Sequence, residues 1–350
     1  MRGKGILLSL LLCFSILAVS CKPVETIGEE SSAREEGKIQ IGMSFDSFVI
    51  ERWQRDRDVF VSTAKEKGAE VNVQNANGDV EEQKKQIEYF IQKGMDVIVI
   101  ICVDSQELNE SVKKAKEKGI KVIAYDRLIT DADVDLYISF DNEMVGTMMG
   151  EAFVENGLAG GNVLMLGGPL ADNNVSLVEN GFKAVMEENE VTILDSFHAE
   201  GWRAELAAEY IYNNVDTVAL ADAIMCGNDD VASKVVHALS EKRLAGDVPV
   251  VGQDADLEAC QRIVEETQVM TVYKPVEKLA KRAAECAVLL AKGEEIAGED
   301  VTMIDNGEYQ VPYVGLEPIS VTKENINEVI INSGFHLKED VYLNVPDKMP

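Results

Sequence analysis

The chain has 350 residues, which is enough for about two domains of ordinary size. It carries 62 Asp and Glu residues against 33 Lys and Arg residues, so its formal net charge is −29. A general nucleic-acid binder needs a basic face to contact phosphates, so this acidity excludes that class of partner. The apolar content of 46% is typical of a soluble protein with a sizeable core.

Residues 1–20 are predicted to be a lipoprotein signal peptide. A basic start, MRGKG, precedes the apolar run ILLSLLLCFSILAV, which is too short to span a bilayer comfortably. The run LAVSC, which ends at Cys21, resembles the lipobox of bacterial lipoproteins. This resemblance implies an exported protein that is acylated on Cys21 and anchored at the cell membrane, on the outer face of the cytoplasmic membrane or in the periplasm. A plain secretory signal or a membrane anchor is the alternative.

Residues 21–37 are predicted to be a flexible tether, because the segment KPVETIGEESSAREEG is polar, charged and aperiodic. The later cysteines lie within or beside apolar stretches and show neither CxxC nor Cys/His spacing. They are Cys102, Cys226, Cys260 and Cys286. We therefore expect no metal site and no cofactor, and interpret these residues as small buried hydrophobes. A disulfide among them stays open at this point.

Short apolar runs alternate with amphipathic segments along the rest of the chain. The predicted strands are 38–45, 70–75, 96–103, 120–125, 134–140, 162–167, 191–197, 222–226, 248–252 and 269–273. Alternation of continuous apolar strands with helices is typical of parallel sheets covered by helices. Two series of strands predict an α/β protein with two doubly wound, Rossmann-like domains. An eight-stranded barrel is the alternative.

Polar and aromatic side chains follow many of these strands. The candidate ligand-binding residues are Arg52, Trp53, Asp126, Arg127, Asn173, Asn174, Trp202, Asn228, Asp254 and Lys274. Ligands of open parallel sheets bind beyond the carboxyl ends of the strands, so we expect these residues to meet in one cleft. Planar polar groups can form paired hydrogen bonds with neighbouring hydroxyls, and an indole can cover the C–H face of a sugar ring. The set therefore predicts a site for a small neutral polyol.

Each of these residues also has a structural interpretation. Asp126 and Asn228 could cap the next helix, Trp53 and Trp202 could pack in a core, and Lys274 could lie on the surface. Signals for catalysis are weak, because the chain contains no HExxH, GxSxG or P-loop motif. No catalytic residue is therefore expected, and the protein is interpreted as a binding protein and not an enzyme.

Several segments together resemble a known family. They are IERWQRDRDVF (50–60), VQNANGD (73–79), AYDRLITDADVDLYISFDNE (124–143), DNN (172–174), GQDADL (252–257) and MTVYKP (270–275). The chain resembles the ribose- and galactose-binding class of periplasmic binding proteins, and among them the bacterial D-xylose-binding proteins. The likeness covers most of residues 38 to about 290 and is looser over 300–350.

The resemblance implies the type I fold of periplasmic binding proteins, in which three crossovers form a hinge between two domains. The implied domains are 38–141 with 275–308 and 142–274 with 309–340. The resemblance also implies which residues contact sugar, with Trp53 and Asn173 as neighbours of the site. These contacts are Arg52, Asp126, Arg127, Asn174, Trp202, Asn228, Asp254 and Lys274.

The function implied by the resemblance is capture of a monosaccharide, with D-xylose favoured, and delivery to the permease of an ABC-type importer. A monomer is expected. The alternative is a sensor that presents sugar to a membrane histidine kinase or chemoreceptor. A sugar-responsive repressor is disfavoured by the export signal and by the lack of an N-terminal helix-turn-helix. The residues leave the choice between xylose, glucose and ribose open.

Overall fold

The computed structural model describes residues 37–298 and 300–350. The predicted signal peptide, Cys21 and nearly all of the predicted tether lie outside these residues. Over the described part, the chain folds into two α/β domains, one with a seven-stranded sheet and one with a six-stranded sheet. None of the helices in the described ranges is long and apolar enough to cross a membrane.

All of the predicted strands are present, and each observed end lies within three residues of the prediction. In chain order the strands are β1 (Ile39–Phe45), β2 (Ala69–Asn75), β3 (Val97–Ile100), β4 (Lys121–Tyr125), β5 (Leu136–Phe140), β6 (Asn162–Gly167), β7 (Thr192–His198), β8 (Ala223–Cys226), β9 (Val250–Gln253), β10 (Met270–Tyr273), β11 (Val301–Asp305), β12 (Gln310–Leu316) and β13 (Ile319–Thr322). The last three strands, β11, β12 and β13, lie after residue 273, where the sequence pattern predicted no strand.

The helices alternate with the strands as expected. They are α1 (Arg52–Glu66), α2 (Val80–Lys93), α3 (Asn109–Glu117), α4 (Asn142–Glu155), α5 (Asn173–Glu188), α6 (Glu205–Asn213), α7 (Val215–Val218), α8 (Asp229–Glu241), α9 (Leu257–Glu265), α10 (Val276–Ala291) and α11 (Lys338–Val341). Side chains of Asp79, Asp141 and Asn228 cap α2, α4 and α8 by accepting backbone hydrogen bonds.

The first sheet has the strand order β11-β12-β5-β4-β3-β1-β2, and its strands are parallel except for the antiparallel pair of β11 with β12. Strand β3 shows why the runs in this sheet are continuously apolar. Val97 and Val99 join the core under α1 and α10, whereas Ile98 and Ile100 join the core on the opposite face. Each buried aliphatic side chain contributes roughly 1.5–3 kcal/mol, so both layers of helices are firmly held.

The second sheet has the order β13-β10-β9-β8-β6-β7 and is parallel except for the pair of β10 with β13. One face packs against α6 and α8 and the other against α4 and α5. The four later cysteines are free and buried, as interpreted from the sequence. They are Cys102, Cys226, Cys260 and Cys286.

The chain passes from one sheet to the other after β5, after β10 and after β12. The third passage lies later in the chain than the domain boundary predicted after residue 308. Strand β12 pairs in parallel with β5, so Gln310–Leu316 lies in the first sheet and not with the second domain. Pro312 interrupts the apolar pattern of this strand, and a Pro argues against a central strand when only the sequence is read.

Candidate functional site

A cavity lies between the carboxyl ends of the two sheets, and its empty space, including open solvent, is about 480 Å³. Residues that follow strands of both domains line it, as expected for doubly wound sheets. Nine of the ten candidate residues are among them: Arg52, Trp53, Asp126, Arg127, Asn174, Trp202, Asn228, Asp254 and Lys274. Asn173, the first residue of α5, is half-buried and does not line the cavity.

Arg52 lies at the centre of the charged groups. Its Nη2 lies 2.8 Å from Oδ2 of Asp126 and 3.1 Å from Oδ1 of Asp56, both in the first domain. Its Nη1 lies 3.8 Å from Oδ1 of Asp254, which follows β9 of the second domain. Lys274, after β10, lies 3.4 Å from the same oxygen of Asp254. Arg52 therefore joins carboxylates on the two sides of the cleft.

Asp126 adopts a backbone conformation that is uncommon for a residue other than glycine, with φ of +64°. Its carbonyl oxygen accepts hydrogen bonds from Oγ of Ser139 at 2.6 Å and from Nδ2 of Asn174 at 3.1 Å. The same Nδ2 also donates to Oδ1 of Asp126 at 3.1 Å. These bonds hold the strained residue so that its carboxylate points into the cleft, which is common at binding sites.

Arg127 lies beside Asp126 and is held by a different set of groups. Its Nη1 donates to Oδ2 of Asp46 at 2.8 Å and to the carbonyl oxygen of Cys102 at 3.0 Å. Its Nε lies 2.8 Å from Oδ2 of Asp172, across the cleft. The two charged residues that end β4 therefore pair with different partners and not with each other.

Both indoles of the chain lie in this cavity. The guanidinium carbon of Arg52 lies 4.5 Å from the ring centroid of Trp53, and that of Arg127 lies 5.6 Å from it. Trp202 lies directly against the backbone at Gly168, where an added Cβ would come within 2.4 Å of the indole. Only a glycine leaves this space free, so the backbone at Gly168 sets the position of the Trp202 ring.

The family described as Periplasmic binding protein domain matches residues 41–295. The chain belongs to the periplasmic binding protein family. Membership implies periplasmic export.

The chain is 43% identical to the D-xylose-binding periplasmic protein of Haemophilus influenzae, over 89% of this chain and 95% of that protein. It is 41% identical to the D-xylose-binding periplasmic protein of Escherichia coli, over 97% of this chain and 100% of that one. An ABC transporter solute-binding protein of Clostridium phytofermentans with bound β-D-glucose superposes with a TM-score of 0.76. That structure is 29% identical and covers 86% of this chain and 99% of its own. These relatives are binding proteins for transport, not enzymes.

Several buried polar atoms in the cavity of this periplasmic binding protein have no hydrogen-bond partner among the described residues. They are Trp53 Nε1, Arg127 Nη2, Asn228 Nδ2, Gln253 Oε1 and Asp254 Oδ1. Native proteins pair nearly all buried polar groups, so such a group needs an explanation. Because the set contains both donors and acceptors, it matches a ligand that both donates and accepts, as a hydroxyl does.

The charged groups of the cavity are close to balanced. Three cations, Arg52, Arg127 and Lys274, line it together with four carboxylates, Asp126, Asp172, Glu179 and Asp254. A site for an anion would carry an excess of positive charge. The balance therefore favours a neutral ligand, in agreement with the polyol expected from the sequence.

The ionisation of these groups follows from burial and pairing. Burial by itself raises the pKa of Asp126, but Arg52, Lys274 and Arg127 outweigh it and lower the pKa below the ordinary value. Burial raises the pKa of Asp56, although Arg52 and Tyr125 oppose this effect. Asp126 is therefore a charged acceptor at neutral pH.

Sequence reasoning missed several residues that line the cavity. They are Ile50, Gly167, Gly168, Asp172, Val175, Val178, Glu179, Met225, Gly227 and Gln253. Asp172 stood in the quoted DNN segment and Gln253 directly precedes Asp254, so proximity in sequence was an available signal for both. Glu179 lies in the middle of α5, where no strand-end pattern points to it. Its Oε1 lies 2.7 Å from Nε2 of His198.

Trp202 lies in a short segment that precedes α6. Gly201 and Trp202 have φ of +60° and +56°, so the chain makes a tight turn there and α6 starts at Glu205. This turn carries the indole of Trp202 into the cavity. In the ranges that the structure describes, no cluster of three or more His, Cys, Asp or Glu side chains is arranged to hold a metal ion.

Proposed function

We propose that this protein captures D-xylose, or a close aldopyranose, between its two domains and delivers it to an ABC-type importer. The observation that carries this proposal is the cavity between the domains, whose charges nearly balance and whose unpaired donors and acceptors come from both domains. The names of the Haemophilus influenzae and Escherichia coli relatives support D-xylose as the ligand. The bound β-D-glucose of the Clostridium phytofermentans protein supports an aldopyranose more generally.

The residues of the cavity divide into three roles in this proposal. The carboxylates of Asp126 and Asp254 accept hydrogen bonds from sugar hydroxyls, since both stay buried and paired with cations. Arg127 and Asn228 donate through the atoms that lack protein partners. The proposed sugar contacts also include Arg52, Asn174 and Lys274, with Trp53 and Trp202 against the apolar faces of the ring and Asn173 as a neighbour outside the cavity wall.

Sugar binding is coupled to closure of the domains in this mechanism. Because the ligand contacts residues of both domains, it binds the closed form more tightly than the open form and shifts the population toward it. The three passages of the chain between the sheets serve as the hinge. A closed site discriminates strongly, because a missing or misplaced hydroxyl leaves a buried charged group without a partner.

Calorimetric titration with D-xylose, L-arabinose, D-ribose, D-glucose and D-galactose tests the ligand. We expect the tightest binding for D-xylose and weaker binding for sugars in which one hydroxyl is inverted. Equal binding of D-glucose would broaden the proposal to aldopyranoses in general. Failure of every aldose to bind would rule the proposal out.

The lipid anchor and the membrane partner are part of the same proposal. Acylation of Cys21 would keep the protein, as a monomer, at the membrane beside the permease that receives the sugar. Incorporation of labelled fatty acid into the wild-type protein, and its loss in Cys21→Ser, tests the anchor. Sugar-dependent co-purification of an ABC permease tests the partner, and co-purification of a membrane histidine kinase in its place would favour a sensor.

A further inference from the structure

Asp172 lies between β6 and α5, with both of its carboxylate oxygens engaged. Oδ1 accepts a hydrogen bond from the backbone N–H of Asn174 at 3.0 Å, so Asp172 is the N-cap of α5. Oδ2 accepts a hydrogen bond from the indole Nε1 of Trp202 at 3.1 Å. The residue is 2% exposed. One buried carboxylate therefore fixes both the start of a helix and the edge of the indole.

The same Oδ2 of Asp172 lies 2.8 Å from Nε of Arg127, which follows β4 of the other domain. The N–H of this Nε does not point along that line, so the contact is an ion pair and not a hydrogen bond. Arg127 is held within its own domain by Asp46. Since Arg127 and Asp172 lie on opposite sides of the cleft, opening of the domains separates them.

A second contact closes the cleft at the same place. The backbone N–H of Ser105, in the first domain, donates to the carbonyl oxygen of Ala171 at 2.9 Å. Ala171 directly precedes Asp172, so the loop before α5 is held to the first domain by both a hydrogen bond and an ion pair. Neither contact involves a ligand, and both depend on closure.

We infer that Asp172 is a positioning residue that couples closure of the domains to the placement of Trp202. Closure pairs Asp172 with Arg127, and a buried charge that has lost its partner is strongly destabilising. The carboxylate that forms this pair is also the acceptor for the indole. The closed domains and the fixed indole therefore depend on one side chain, which itself need not contact the ligand. That the ligand is a sugar rests on the proposed function, whereas the closure step does not.

The competing interpretation is that Asp172 is only a helix cap. The variant Asp172→Asn distinguishes the positioning role from the role of a helix cap. Asn is as good an N-cap as Asp, but it has no negative charge to pair with Arg127. Asp79→Asn is the matched control, since Asp79 caps α2 through the backbone N–H groups of Glu81 and Glu82. If Asp172→Asn does not fold, Asp172→Ser is the second variant, because Ser also caps helices.

The kinetic arm uses stopped-flow fluorescence with D-xylose in a Trp53→Phe background, in which Trp202 is the sole tryptophan. For Asp172→Asn we expect dissociation to be about 10- to 100-fold faster with little change in association, as is usual when one partner of a buried charge pair is removed. We also expect a shift in the Trp202 emission maximum, which Asp79→Asn will not show. Unchanged dissociation and unchanged emission would overturn the inference.

The second arm measures closure of the domains directly, in the absence and in the presence of D-xylose. Spin labels are attached at Lys113→Cys on α3 and Glu209→Cys on α6, both exposed and in different domains, while the four later native cysteines are buried. We expect Asp172→Asn to have a smaller closed fraction than the wild type. If Asp172→Asn and the wild type have identical distance distributions, both without ligand and with saturating D-xylose, the inference is overturned. If the wild type binds no aldose, the proposed function fails, and the ligand-free distributions alone decide the role of Asp172.

Discussion

Asp126 and Asp254 occupy equivalent places in the two domains. Each follows a central strand and has a positive φ, +64° for Asp126 and +97° for Asp254. Each donates its backbone N–H at 2.8 Å to the neighbouring parallel strand, Asp126 to Ile138 and Asp254 to Val272. Arg52 lies between the two carboxylates. The site is thus built around a pair of strained aspartates, one from each domain, with a cation shared between them.

The first prediction concerns Asp126. We expect Asp126→Asn to weaken binding of D-xylose by at least about 100-fold, because each lost hydrogen bond to a charged group costs about 1.5–3 kcal/mol. Asn tolerates the positive φ of this position, so the circular dichroism spectrum will stay unchanged. Asp133→Asn is the control, since its side chain is 59% exposed. Unchanged affinity in calorimetry would leave Asp126 with a purely structural role.

The second prediction concerns Gly168. In Gly168→Ala the new methyl group would lie 2.4 Å from the indole of Trp202, so the ring must move. Overpacking costs about 1–3 kcal/mol, and we therefore expect sugar affinity to fall about tenfold or more. The matched test is the double variant with Trp202→Ala, in which the added methyl group has no indole to displace. An equal loss of affinity in both backgrounds would show that the backbone, and not the indole, is affected.

The third prediction uses the two tryptophans of the chain, both of which line the cavity. We expect D-xylose to change the intrinsic fluorescence of the wild type. Trp53→Phe will retain the response of Trp202, and Trp202→Phe will retain that of Trp53. Sucrose serves as the control for effects of the solution. Sugar binding that is visible by calorimetry but silent in all three proteins would contradict the placement of the indoles.

The fourth prediction concerns the pH dependence of stability. Burial raises the pKa of Asp230 to about 6, and the charges of Asp254, Glu51 and Glu258 act in the same direction. In the unfolded chain the pKa of an Asp is about 3.9. Between these values the folded protein binds a proton that the unfolded chain does not, so the free energy of unfolding falls as the pH rises through this window and levels off above it.

Asp230→Asn removes this dependence. At pH 7.5 we expect the variant to be more stable than the wild type by about 1 kcal/mol, because partial exposure of Asp230 screens part of the effect. Near pH 4 we expect the two proteins to be equally stable. Denaturant unfolding at a series of pH values measures the difference, with Asp216→Asn as the exposed control. A constant difference across the pH range would contradict the prediction.

The sequence by itself predicted ten of the strands and nine of the nineteen residues that line the cavity. Continuous apolar runs separated by amphipathic segments allow only helix-covered parallel sheets, and the carboxyl ends of such strands are where ligands bind. Local pattern placed Asp126, Arg127, Asn228 and Asp254 at the cavity, because each lies one or two residues after the end of a strand. The local pattern did not show which of the two neighbours Asn173 and Asn174 faces the cavity. Neighbouring residues on a helix point about 100° apart, and only Asn174 faces the cavity.

The tertiary structure alone decided which residues meet across the cleft. Asp172 and Arg127 are paired by closure of two domains, which no local pattern encodes. The indole of Trp202 occupies the space that a side chain at position 168 would fill, so its placement requires a glycine there. No local pattern around Gly168 shows that a distant indole packs against it. Strand β12 joins the first sheet because β5 offers it a parallel partner far away in the sequence. The local sequence determines which residues of each strand and helix are buried. Contacts between distant segments depend instead on how the packed layers of helices and sheets fit together.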